Sequence, residues 1–316
     1  MEATAAHLVG RRRVELRPLE LEPQEDQVLI RIAACGICHG DLQIFDREHD
    51  EPRRFGHEPV GEVMALGPWA DELAEGDRVV GCLHGGFATH TVARESEVFR
   101  VPDDLGDEDA CLAEALKCVT TLSRAALPDF GDVVVVVGCG FMGLSAISIL
   151  AGTWKSELIA VDPVESRRAM ALEFGATQAL DPTAGDAREQ VLELTGGRGA
   201  DVAVEFAGRP EAVTIAARSL RRRGRLVLGG GHSVGDEEDV AIYMSAITVH
   251  HAPPAFSPDE ADDWRRAIDA MAAGRFPLQR LVSHRFRLSD IQDAFETASA
   301  GAEIGYRKGI VLNDIA

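Results

Sequence analysis

Five consecutive valines at 133–137 run straight into Gly138-Cys139-Gly140-Phe141-Met142-Gly143. A valine run has strong strand preference and no polar face, so it fits a strand covered on both sides, as in a parallel sheet. The apolar segment 144–151 that follows fits a helix. G-x-G-x-x-G between a strand and a helix gives each glycine a task. Gly138 makes the tight turn, Gly140 lets backbone approach a pyrophosphate, and Gly143 lets helix and strand pack closely. Phe141 and Met142 fill the loop between them, and the phosphates would rest on the free N–H groups at the helix N-terminus. A glycine fingerprint alone is a weak signal, so its surroundings must carry it. The next apolar run, 158–161, ends in Asp162. That acid stands about twenty residues past the fingerprint, where a dinucleotide fold places the carboxylate that grips a ribose hydroxyl. A glycine-rich turn that binds nothing needs no such order of strand, glycines, helix and acid. Asp162 favours NAD over NADP, because it would repel a 2′-phosphate. Arg167 and Arg168 lie close enough to soften that preference.

The chain has 316 residues, enough for two domains, and at 46% hydrophobic it can bury ordinary cores. A net charge of −20 argues against nucleic acid and anionic membranes as partners. No stretch approaches a membrane span, and the N-terminus lacks the charged-then-apolar pattern of a signal peptide. The six cysteines, Cys35, Cys38, Cys82, Cys111, Cys118 and Cys139, are too sparse for a disulfide framework, which points to the reducing cytoplasm.

Before the valine run the chain reads as short strands, at 3–9, 14–17 and 27–33, with Pro18 and Pro23 breaking the pattern between them. In the third, Val28, Ile30 and Ile32 alternate with Leu29 and Arg31. Further turns enter strands at Gly76-Asp77-Arg78-Val79-Val80-Gly81 and at Gly85-Gly86-Phe87-Ala88-Thr89-His90-Thr91-Val92. Many short strands parted by Gly, Pro and Asp suggest an all-β, barrel-like unit. Residues 110–127 are helical in character. After them come strands at 133–137, 158–161, 202–206, 225–229 and 246–250, alternating with helices at 142–151, 165–174, 186–194 and 210–219. This is a doubly wound α/β sheet. Ala207-Gly208 and Gly229-Gly230 end two of its strands, where backbone could approach the cofactor. Beyond Pro253-Pro254 a helix near 258–273, a segment 281–286, a helix near 289–298 and a strand 309–312 form a tail too short for a domain. It is expected to return to the first unit, giving domains 1–117 with 253–316, and 118–252. The acid runs 236–239 and 259–263 read as solvated loop and helix-start charges.

Cys38, His57 and Glu114 are candidate zinc ligands. Thiolate, imidazole and carboxylate all suit zinc, and three protein ligands leave a fourth position open for Lewis-acid catalysis. Three other readings compete. Cys35-x-x-Cys38-His39 is literally a c-type haem attachment pattern, which would need export. Cys35 and Cys38 could form a redox pair, but such a pair opens a helix in a βαβ unit and this one follows a strand in the β-rich half. Cys38 and His57 could also be plain core residues.

GICHGDL, then GHEPVGEV, GDRVVG, GGFATHTV and the glycine fingerprint follow one another, and HRFRLSDIQDAFETA comes near the end. This order over nearly the whole chain resembles the medium-chain dehydrogenase/reductase superfamily, above all its zinc-dependent alcohol and polyol dehydrogenases. The resemblance implies a GroES-like β-barrel catalytic domain and a Rossmann domain with the active site between them. It implies that Cys38 and His57 are catalytic zinc ligands, with Glu58 beside the metal and Asp41 orienting His57. The third ligand is a cysteine in the alcohol dehydrogenase branch and a glutamate in the sorbitol-dehydrogenase-like branch. Glu114 takes that place by ungapped count from the fingerprint, Cys118 is the alternative, and Ala115 replaces the usual proline.

Two departures stand out. The family's proton-relaying hydroxyl is replaced by Gly40, leaving His39, another group or water to carry the proton. The lobe with four close cysteines is missing, so one catalytic zinc and no structural zinc are expected. The implied activity is interconversion of a secondary alcohol, of polyol, sugar or cyclitol type, and its ketone with NAD. Lys308 lies where relatives carry a basic residue close to the cofactor phosphates, although a solvated surface lysine fits as well. Relatives form homo-oligomers, dimers or tetramers, through the Rossmann sheet. A zinc-free quinone or enoyl reductase and a nucleotide-binding protein without turnover are the alternatives.

Overall fold

The computed structural model describes residues 1–315 apart from 154, 232–234, 236–241, 252–256 and 277. The acid run 236–239 and the Pro253-Pro254 break lie outside the described residues. Two compact units divide the chain. Residues 1–115, 267–274 and 278–316 form one, and residues 116–266 and 275–277 the other.

The first unit is built around the ten-residue strand Gln27–Gly36. Its side chains alternate as the sequence suggests. Val28, Ile30 and Ile32 join one buried cluster with Val63, Val79 and Val98, while Leu29 joins another with Ala3 and Leu21. One edge of this strand pairs antiparallel with Glu58–Leu66. The other edge is long enough for two partners. His90–Arg94 takes residues 27–31, and Gly309–Leu312 takes residues 34–36. The chain's last strand therefore belongs to its first unit. Packing gives a second reason: Phe295, on the helix Ile291–Ala300, sits among Phe45, Phe55 and Phe87 at ring-centroid distances of 5.3, 5.0 and 5.4 Å. Burying such a ring is worth about 2–3 kcal/mol. A three-stranded sheet completes the unit, with Glu2–Gly10 between Arg13–Glu20 and Arg53–Arg54. Pro18 lies inside Arg13–Glu20 and does not break it, because that strand is at a sheet edge, where a missing N–H costs no ladder bond.

The second unit is a six-stranded parallel sheet. From edge to edge it runs Gln178–Leu180, Lys155–Val161, Asp132–Val137, Ala200–Glu205, Leu220–Leu228 and Thr248–His251. In chain order this is 3-2-1-4-5-6, the doubly wound Rossmann arrangement. Val134, Val135 and Val136 are fully buried, as a central parallel strand requires. The helices Phe141–Leu150, Glu165–Glu173, Ala187–Leu194 and Pro210–Ser219 connect the strands. The edge strand Gln178–Leu180 escaped the sequence reading. It is three residues long, has no β-branched side chain, and exists only by pairing with 159–161.

One expectation about charge is overturned in this unit. The acids at 259–263 are not all solvated. Asp263 is fully buried, accepting hydrogen bonds from Thr121 and Ser257 at 2.6 Å each and from Arg124. Glu260 pairs with Lys117, which is itself buried beneath the Trp264 ring. These contacts bind the helix start at Glu260 to the helix Ala113–Ala126.

Candidate active site

Three segments of the first unit converge on one group of side chains. Cys38 caps the short helix His39–Phe45 in an extended conformation. Glu58 opens the strand Glu58–Leu66 directly opposite Gly36, and His57 precedes it. The ligand atoms of Cys38, His57 and Glu58 all lie within 4.8 Å of one another. Among the described residues no other Cys, His, Asp or Glu side chains form such a group. Gly36 makes it possible, since a Cβ there would come within 2.0 Å of the Glu58 carboxylate.

Asp41 sets the orientation. Its Oδ2 accepts the Cys38 N–H at 2.9 Å, and its Oδ1 lies 3.2 Å from His57 Nδ1. A carboxylate on Nδ1 fixes the proton there and leaves Nε2 as a metal donor. Glu58 is fully buried and its Oε2 accepts from Lys308 Nζ at 2.5 Å. Lys308 directly precedes the strand Gly309–Leu312, whose pairing with 34–36 carries it to Glu58. Glu58 Oε1 has no hydrogen-bond partner. A fully buried carboxylate oxygen left without a donor is costly. A soft thiolate, an imidazole and the Glu58 carboxylate form a donor set that suits zinc.

The protonation of the group follows from its contacts. Burial alone would lower the His57 pKa, but hydrogen bonds to Asp41 and Cys38 reverse this and raise it to about 12. Burial pushes the Cys38 thiol up, against a partial pull from His57. Burial works against the Lys308 charge, and Glu58 beside it more than compensates, raising its pKa.

The remaining expected residues fall as follows. His39 and Gly40 are exposed at the start of the helix His39–Phe45. A Cβ on Gly40 would stand 3.9 Å from the His57 ring and 4.0 Å from Cys38 Sγ, so a side chain would fit beside the group. Glu114 is buried in the first turn of the helix Ala113–Ala126 and is not part of the three-residue group. Cys118 is buried one turn further along that helix. Lys308 is no solvated surface lysine. Its partner Glu58 was missed because the two are 250 residues apart. The available signal was a lysine placed directly before an apolar strand that pairs with the Cys35-Gly36 segment.

In the second unit the fingerprint shows three different glycines. Gly138 has φ +93°, and a Cβ there would lie 2.6 Å from the Ala207 N. Gly143 touches the turn so closely that a Cβ would meet Gly138 O at 1.8 Å. Gly140, which caps the helix Phe141–Leu150, has nothing within 4 Å of its Cβ direction. That open backbone beside the helix N-terminus is a cradle a pyrophosphate fits. Gly138 and Ala207 end adjacent strands at the point where strand order reverses, the ligand crevice of such sheets. Phe141 is buried, Met142 half-buried and Ala207 exposed. Gly229 is packed against Leu122 and Phe206, with a Cβ at 2.8 and 3.1 Å from them, which explains the glycine by packing alone. Asp162 and Arg167 stand at the end of Lys155–Val161, 3.8 Å apart.

Two family models match. Residues 24–103 match the alcohol dehydrogenase GroES-like domain, and residues 142–273 the zinc-binding dehydrogenase domain. Geraniol dehydrogenase of Castellaniella defragrans is 30% identical over 89% of this chain and 90% of its own. Sorbitol dehydrogenase of Bacillus subtilis is 27% identical over 94% of this chain and 93% of its own. A Sinorhizobium meliloti protein assigned as a zinc-binding dehydrogenase and bound to NADP superposes with a TM-score of 0.87, at 25% identity and 99% coverage of both chains. The chain belongs to the zinc-binding dehydrogenases of the medium-chain dehydrogenase/reductase superfamily. It is an NAD(P)-dependent zinc oxidoreductase. No helix among the described residues is long and apolar enough to cross a membrane.

Proposed function

We propose that this enzyme interconverts a secondary alcohol of polyol, sugar or cyclitol type and its ketone, with NAD. The observation that carries the reading is the Cys38, His57 and Glu58 group, whose ligand atoms lie within 4.8 Å of one another and whose Glu58 keeps one oxygen without a hydrogen-bond partner. Cys38, His57 and Glu58 would hold one zinc ion per chain. Glu58 is preferred to Glu114 as the carboxylate because it already belongs to the group and keeps an oxygen free for a cation. Bound there, zinc would supply Lewis acidity to the substrate oxygen, and the nicotinamide would supply the hydride carrier. Asp41 holds the proton on His57 Nδ1, so that Nε2 stays a donor. Lys308 neutralises the Glu58 carboxylate through Oε2. Gly40 contributes no hydroxyl, so the substrate proton leaves through water or through the exposed imidazole of His39.

The substrate class rests on the sorbitol and erythritol/L-threitol dehydrogenases among the relatives, at 27% and 28% identity. A homo-oligomer formed along the edge strand Thr248–His251 is supported by Tyr243 and Met244, exposed just before it. The test is zinc analysis of purified protein, followed by NAD-linked oxidation of a polyol panel. About one zinc per chain with turnover of a secondary polyol is expected. Protein purified without chelator that contains no zinc defeats the proposal. Nucleotide binding without turnover of any polyol would leave a binding protein.

A further inference from the structure

We propose that the foot of the parallel sheet is a docking face for a second copy of this chain, which it holds by that copy's Trp69 loop. The foot is the N-terminal edge of the strands, opposite the edge that carries the glycine fingerprint. Two exposed apolar side chains stand there, in the loop that leads into Asp132–Val137. Leu127 is 65% and Phe130 79% exposed. Beside them, Leu220–Leu228 bulges between Leu220 and Arg225, where its pairing with Ala200–Glu205 shifts register, and the bulge turns Arg222 and Arg223 to solvent. Arg225 joins bulge and loop by donating to the carbonyls of Ala126 and Leu127. Asp201 fixes the foot from within. It accepts the Val133 N–H at 2.8 Å and pairs with Arg198 and Arg221. Among the described residues neither Arg222 nor Arg223 has a side-chain hydrogen bond or ion pair. In a chain of net charge −20, two adjacent arginines without an acid need a reason. Leu127 at φ +33° and Arg223 at φ +59° both hold a backbone conformation that residues with a side chain rarely adopt, and such positions gather where a surface is used.

The occupant is argued from the other unit. Trp69, on the loop 67–75, is 68% exposed. That loop is fixed in place. Glu95 accepts the N–H groups of Asp71, Glu72 and Leu73, the Glu25 carbonyl accepts the Trp69 N–H at 3.0 Å, and Ala70 and Leu73 pack on the core. Asp71, Glu72 and Glu75 follow the tryptophan, exposed and paired with no cation among the described residues. One surface thus offers apolar side chains and two unpaired cations, the other an indole and unpaired acids. Arginine and aromatic side chains are the usual anchors of interfaces, and arginine stacks on indole. Both surfaces stay open within one chain, so a second copy supplies the match. The two patches differ, so the contact is heterologous, and copies close into a ring or run on as a chain. It is separate from the edge strand Thr248–His251. A net charge of −20 works against a nucleic acid or an anionic membrane on the same arginines.

The test is sedimentation velocity of the full chain from about 1 to about 100 µM, at low and high salt. The average mass of the wild type should rise by about twofold or more over this range and fall back in high salt. Arg222→Glu with Arg223→Glu, and Asp71→Arg with Glu72→Arg, should each abolish the rise, because like charges then meet. An equimolar mixture of these two proteins should recover it, since each reversed face finds its opposite on the other. Trp69→Ala, which removes an exposed side chain, should weaken association by about tenfold or more. All variants should keep the wild-type melting temperature and NAD affinity in calorimetric titration, which separates a lost contact from a lost fold. A mass independent of concentration, a mixture that stays apart, or undiminished association of Trp69→Ala overturns the inference. So does retention of the wild type on anionic vesicles or DNA with no rise in mass, which would give the arginines a different partner.

Discussion

Lys308→Met isolates the electrostatics of the metal group. In the metal-free enzyme Glu58 is buried, with Lys308 on Oε2 and no partner on Oε1. Removing the ammonium leaves a buried carboxylate without its hydrogen-bonded cation. Breaking a buried ion pair in this way costs about 3–5 kcal/mol. Zinc changes the balance, since a bound cation would replace the lost ammonium. The measurement is urea unfolding of wild type and variant at pH 7, with EDTA and with zinc. The expected loss is about 3–5 kcal/mol in EDTA and much less when zinc is present. Glu58→Gln in the same background should recover most of the apo loss. An equal deficit in EDTA and zinc would refute the assignment of Glu58 to the metal, and failure of Glu58→Gln to recover the loss would show that packing, not charge, was removed.

Other expectations concern the two sites separately. Asp41→Asn replaces the carboxylate on His57 Nδ1 and should weaken zinc binding by about 10–100-fold in chelator competition; unchanged affinity would show that His57 needs no orienting partner. Because contacts and burial raise both the Cys38 and His57 pKa values, each is protonated at neutral pH without metal. Zinc uptake should then release about two protons per site, read as calorimetric heats that scale with buffer ionisation enthalpy; buffer-independent heats would contradict it. Gly143→Ala should prevent stable folding of the parallel-sheet unit, since its Cβ would meet backbone at 1.8 Å. Gly140→Ala, with open space around its Cβ, should keep the melting temperature and lose nucleotide affinity in the same titrations; equal behaviour of the two variants would refute the division of roles.

The parallel sheet was legible because its signals are local. Valines at 133–137, glycines at 138, 140 and 143, and the βα alternation each declare themselves within a short window. The strand Gln178–Leu180 was not legible, since its conformation is imposed by the neighbouring strand. At the metal group, Cys38, Asp41, His57 and Glu58 could be named from motif order. The roles of Gly36 and Lys308 depend on strand register, with Glu58 opposite Gly36 and 309–312 alongside 34–36, and no local pattern carries register. Glu114 was favoured as a ligand by a count along the chain, and a count does not show which carboxylate lies within reach of Cys38 and His57. Asp263 was misjudged for a related reason. A run of acids looks solvated until a helix elsewhere presents Thr121 and Arg124 to one of them.

Several buried carboxylates of this chain have hydrogen-bond donors on both oxygens. Glu95 accepts three backbone N–H groups from residues 71–73, and Asp201 accepts Val133 N–H together with Arg198 and Arg221. Asp162 and Asp263 likewise have donors on both oxygens. For Asp201 those donors outweigh burial and hold its pKa at about 2. Each of these acids stabilises the fold, and nothing at the site is left to bind. Glu58 is as deeply buried, yet one oxygen has a lysine and the other has nothing. Burial of a half-satisfied carboxylate lowers stability unless a further partner completes it. Its neighbours are a cysteine and a carboxylate-oriented histidine, so a thiophilic divalent ion answers the deficit better than a proton or a second ammonium. The fold thus tolerates at Glu58 a half-satisfied carboxylate that it avoids at these four acids, and a zinc ion held there, as proposed above, would relieve it.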